Sequence, residues 1–184
     1  GSYRVWFRKV RFHARTLRQL LTLGIPSGVQ NSIIAIANVV VQSSINLYGP
    51  MAMAGCGAYT KIEGFGFLPI TSFSLALTTF IGQNLGAKEY DRAKRGARMG
   101  ILTCMVLAEL IGVAMWILMP QLASLFSQTP EVIALATKQA RTISLFYFLL
   151  AYSHAIASIC RGAGKAFVPM TIMLSVWCVF RILY

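Results

Sequence analysis

The sequence predicts an all-α polytopic membrane bundle of about five transmembrane helices. Three observations predict it. Of 184 residues, 57% are hydrophobic and only 12% are charged, where soluble domains carry about 25% charged residues. The apolar residues gather in runs of about 20, the length a bilayer requires. The 17 Lys and Arg residues sit mostly between those runs. A net charge of +12 so distributed signals membrane topology, not nucleic acid.

The elements follow in order. In residues 1–22, Arg4, Arg8, Arg11, Arg15 and Arg18 alternate steps of four and three and share one helical face. Trp6, Val10, His13, Leu17, Leu20 and Leu21 form the other. This predicts an amphipathic connector helix on the cytoplasmic membrane surface, its arginines near anionic head groups of membrane lipids. His13 would sit at that interface without chemistry. The bundle occupies residues 23–184. Its first span is Leu23–Leu47, with Pro26 suited to a first turn. The second, Ala52–Gly82, is long and expected to tilt or bend, since Gly64, Gly66 and Pro69 lie inside it. The third is Met99–Met119, the fourth Thr142–Cys160 and the fifth Phe167–Tyr184. An odd number of spans with the last cut at Tyr184 suggests a fragment.

The basic residues orient these spans. Arg4, Arg8, Lys9, Arg11, Arg15, Arg18, Lys88, Arg92, Lys94, Arg95, Arg98, Arg161 and Lys165 fall on one side. Only Lys138 and Arg141 fall on the other, and Lys61 and Arg181 lie within spans. The positive-inside rule puts the first segment in the cytoplasm. Cys56, Cys104, Cys160 and Cys178 are far apart, each in or beside an apolar run. They read as packing residues rather than metal ligands.

Glu63 is the most informative residue. Within the second span the only charges are Lys61 and Glu63. A carboxylate in hydrocarbon costs roughly 2.5 kcal/mol or more, so an ion or proton site is the default expectation. A carboxyl withdrawn from water can load and release a proton. Lys61 and Glu63 are two apart and point to different helix faces, so a direct pair is not expected. On the first span, Asn31, Asn38, Gln42 and Asn46 fall within an arc of about 80°, and Ser27 extends the stripe. Amides are costly against lipid, so this face should meet protein or a solute cavity. On the fourth span, Ser144, Tyr147, His154 and Ser158 share a face. Histidine is the side chain type suited to exchanging a proton near neutral pH, which makes His154 a candidate proton relay. Glu109 has no polar companions nearby in sequence, and a contact with a neighbouring helix is expected. Phe65, Phe67, Phe73 and Tyr59 could line a cavity. Gly162-Ala163-Gly164-Lys165 lacks the spacing of a phosphate loop, and Ala166 follows the lysine. No catalytic constellation is visible.

Three motifs then carry a resemblance. LGIPSGVQN (Leu23–Asn31) opens the first span, KIEGFGFLP (Lys61–Pro69) lies in the second, and GQNLGAKEYDRAKR (Gly82–Arg95) follows it. A shorter echo, RGAGKAFVP, spans Arg161–Pro169. Together these resemble the carboxy-terminal half of the multidrug and toxic compound extrusion (MATE) transporters. The resemblance implies helices seven to eleven of a twelve-helix, two-lobed protein, with the twelfth helix and the amino-terminal half missing. It implies a secondary antiporter, not an enzyme, of the bacterial cytoplasmic (inner) membrane. Such a protein exports cationic or amphipathic small molecules in exchange for H⁺ or Na⁺ and needs no cofactor. The alternative is a lipid-linked sugar flippase of a related fold, which would need more cavity-facing bases than this chain offers. Glu63 matches the family pattern. The acids some members carry on the seventh and tenth helices are absent here. The residues expected to couple ions or bind substrate are Glu63, Asn31, Asn38, Gln42, His154 and Tyr147.

Overall fold

The computed structural model describes residues 13–176, and among these every regular element is helical. The helices are α1 (Ala14–Asn46), α2 (Pro50–Gly86), α3 (Tyr90–Ser124), α4 (Pro130–Ile143), α5 (Tyr147–Gly162) and α6 (Phe167–Met173). A 3-10 turn, Ser144–Phe146, joins α4 to α5. Among the described residues, four segments are long and apolar enough to cross a bilayer: α1, α2, α3 and the continuous Pro130–Gly162. The fifth expected span is described only as a shorter apolar helix, Phe167–Val176. Arg4, Arg8 and Arg11 of the basic face lie outside the described residues.

Two expectations are corrected. Pro26 is not in a first turn, because α1 begins at Ala14 and runs unbroken through residues 22 and 23. The proline therefore sits inside the helix, where it cannot donate to the Thr22 carbonyl. The fourth span begins not at Thr142 but at Pro130, and it is interrupted at Ser144–Phe146. Pro130 at the first helical position, Glu131 in the first turn and Arg141 in the last favour α4 as a helix of its own.

The bundle is built on small residues. Buried positions on α3 are Ala93, Gly100, Cys104, Ala108 and Gly112, mostly at steps of four. Their counterparts on α4 and α5 are Ala136, Ala140, Ala151 and Ala155. Small side chains let helices approach closely in a membrane, where van der Waals packing rather than water exclusion drives association. Larger core residues fill the gaps between them: Tyr59, Ile62, Ile70, Leu77 and Ile81 from α2, Met115 and Met119 from α3, Tyr147 from α5. The outward positions of α3 are the bulky ones, including Leu102, Val106, Leu110, Val113 and Ile117. Small residues inside and large apolar residues outside are what lipid selects.

Two glycines fix close crossings. A Cβ at Gly112 would lie 2.5 Å from the Ser144 carbonyl oxygen and 3.3 Å from Cδ2 of Tyr147. Only glycine lets α3 reach the 3-10 turn and so set the height of Tyr147. At the other end, a Cβ at Gly162 would lie 2.6 Å from the Thr78 carbonyl oxygen, and Thr78 Oγ1 donates to the Ser158 carbonyl across the same crossing at 3.2 Å.

Candidate functional site

Three helices converge on Glu63. On α2, Tyr59 and Glu63 are four apart and lie on one face. The Tyr59 hydroxyl donates to Glu63 Oε1 at 2.7 Å. From α5, the Tyr147 hydroxyl reaches the same oxygen at 3.1 Å, and the two phenol oxygens are 3.0 Å apart. From α3, Met115 Sδ lies 3.7 Å from the Tyr147 hydroxyl. Tyr59 and Tyr147 are 2% and 1% exposed, whereas Glu63 is half-buried. The carboxyl thus has an inner side held by phenols and an outer side that remains reachable.

Phe67, one helical turn beyond Glu63, closes the site toward α5. Its ring packs edge-on against Tyr147 at 5.6 Å between centroids and against His154 at 5.9 Å. His154 also places Nδ1 3.0 Å from the Leu150 carbonyl oxygen, so that nitrogen carries the proton and donates along the helix. His154 therefore borders the cluster through Phe67 and does not touch Glu63. Lys61 turns away. It is exposed, and its ammonium lies 5.9 Å from the centroid of the Phe126 ring, within cation–π range.

The remaining candidates lie elsewhere. Asn31, Asn38 and Gln42 are exposed on α1, a different helix from the three that build the cluster. Gln42 Nε2 donates to Asn46 Oδ1 at 3.2 Å. Ser144 and Ser158 are buried, and Ser158 Oγ accepts from Arg161 Nη2 at 3.1 Å. Glu109 on α3 has its Oε2 buried with no hydrogen-bond partner among the described residues. No group of three or more His, Cys, Asp or Glu side chains able to hold a metal ion occurs among them. Tyr59 is more than the cavity aromatic that the sequence suggests. Its spacing of four from Glu63 was the readable signal. Met115 carried no such signal.

Long apolar helices with bulky residues outward and a carboxyl held within define an integral membrane protein of the helical-bundle class. Residues 26–184 match the MatE family model, and the chain belongs to that family. It is 25% identical over 171 residues to the probable multidrug resistance protein YoeA of Bacillus subtilis (strain 168), covering 92% of this chain and 37% of that protein. It is 24% identical over 161 residues to the probable multidrug resistance protein NorM of Thermotoga maritima, covering 87% and 35%. Against the FAD transporter of Shewanella oneidensis it is 32% identical over 108 residues, covering 59% and 24%. The chain spans about a third of the length of the first of these relatives.

Proposed function

We propose that this chain forms part of a secondary antiporter that exports cationic or amphipathic compounds in exchange for H⁺ or Na⁺. It works there with further helices supplied by an amino-terminal lobe. The excess of basic residues on one side of the spans supports a cytoplasmic start for α1. The observation that carries the reading is the Glu63 cluster. A carboxyl inside an apolar bundle is held from two helices at once, which couples its charge state to how α2 and α5 sit together. The outer side of Glu63 remains reachable, so ion and substrate can compete for it. The exposed amides Asn31, Asn38 and Gln42 supply uncharged polar contacts on α1 for an amphipathic solute.

The relatives named as multidrug resistance proteins support this substrate class. The FAD transporter relative favours a second reading, export of an anionic dinucleotide. Along the described α2, Lys61 is the basic residue nearest Glu63 in sequence, but it turns away toward Phe126, which leaves the Glu63 site a poor match for two phosphates. The test uses everted vesicles carrying the transporter that contains this chain. Proton and sodium gradients are imposed separately, and wild type is compared with Glu63→Gln. Loss of driven uptake in the variant at equal expression supports the reading. Undiminished uptake under both gradients removes Glu63 from the mechanism.

A further inference from the structure

We infer that the Glu63 site is a proton site rather than a sodium site, and that Tyr59 and Tyr147 are its positioning residues. This rests on the coupling role proposed for Glu63 and names the ion. Three oxygens, Glu63 Oε1 and the hydroxyls of Tyr59 and Tyr147, stand 2.7, 3.0 and 3.1 Å from one another. All three edges are hydrogen-bond distances. A closed ring of three such bonds needs three protons, and two phenols supply two. The third belongs to the carboxyl. With Glu63 protonated, its O–H donates to Tyr147, Tyr147 donates to Tyr59, and Tyr59 donates back to Oε1. With Glu63 ionised, both phenols donate to the carboxylate. The phenol oxygens then face each other across an edge that holds no proton.

Oxygens that ligate a metal cation all turn lone pairs toward it and repel one another. Oxygens that share protons are drawn together, as these three are. Tyr147 also meets the Phe67 ring and the thioether of Met115, and hard cations prefer oxygen ligands to thioethers. Among the described residues, the charged and titratable groups around the ring are few. On α2, Lys61 points away to Phe126. On α5, His154 stands behind Phe67. On α3, Met115 makes the contact, and Glu109 lies almost two turns from it along the helix. On α4, Lys138 is exposed and Arg141 stacks on Trp116 with 5.0 Å to the ring centroid. Between Arg18 and Asn46, α1 has no charged residue.

The experiment is an infrared difference titration of the reconstituted transporter, run over pH in potassium and again in sodium. The proposal expects a carboxyl C=O band that appears as pH falls and is absent in Glu63→Gln. The titration midpoint should be the same in both salts. In Tyr59→Phe and Tyr147→Phe the band should move to higher frequency, because a carboxyl that loses a hydrogen bond has a stiffer C=O. A phenol that merely packs would not move it. A midpoint that falls as sodium rises overturns the proton assignment. A band unmoved in both phenylalanine variants overturns the positioning role. Efflux by Glu63→Gln is read separately, so a working proton ring without a coupling role, or a coupling role without the ring, would each be recognised.

Discussion

Gly112→Ala should destabilise the bundle where Gly57→Ala should not, and the difference can be worked from the structure. At Gly112 the new methyl carbon would stand 2.5 Å from the Ser144 carbonyl oxygen. Close C···O contacts in proteins lie at about 3.3 Å or more, so the two atoms overlap by about 0.8 Å. The obstacle is backbone, which cannot rotate aside. Overpacking of this kind costs about 1–3 kcal/mol. Replacing a helical glycine by alanine returns about 1 kcal/mol through backbone entropy. At Gly57, in the interior of α2, a Cβ meets nothing within 4 Å of this chain, so only the gain remains. The difference between the variants isolates the overlap, about 1–3 kcal/mol. Equilibrium unfolding in mixed detergent micelles, followed by circular dichroism, measures it. Because the overlap falls on the turn that carries Tyr147, efflux should weaken in Gly112→Ala as well. Equal stabilisation of both variants would refute the close approach of α3 to the 3-10 turn.

Other outcomes follow from the same geometry. Tyr147→Phe keeps the ring that packs on Phe67 but removes the hydroxyl bonded to Glu63 and Tyr59. It should cost about 1–3 kcal/mol in unfolding measurements and reduce gradient-driven efflux without lowering expression. On a cysteine-free background, Gln42→Cys should react with a water-soluble thiol reagent. Ala151→Cys, at a position 0% exposed, should not. A Gln42→Cys variant inert to the reagent would mean that the α1 stripe faces lipid or protein rather than an aqueous cavity.

The order of the spans was legible because a bilayer fixes helix length, and apolar runs of that length are hard to mistake. The start of α4 was not. Lys138 and Arg141 lower the hydropathy of Pro130–Ile143, although Ala136 and Ala140 bury its inner stripe completely. The capping signals at Pro130 and Glu131 were readable, whereas nothing in Ser144-Leu145-Phe146 marks a 3-10 turn. Pro26 misled because prolines favour first turns, and the helical continuity of the preceding segment outweighed that preference. Glu63 stood out through the cost of its charge. Its pairing with Tyr147 depends on α2 and α5 lying side by side, a long-range fact that helical periodicity does not encode. The face shared by Tyr147 and His154 was readable, but the Phe67 ring packed against both was not.

The most direct test is proton-driven substrate accumulation by Glu63→Gln in everted vesicles acidified inside, with substrate binding measured on the same preparation. If the carboxyl couples transport to the ion, accumulation falls to the level of vesicles lacking the transporter while substrate still binds. Wild-type accumulation by the variant would contradict the account.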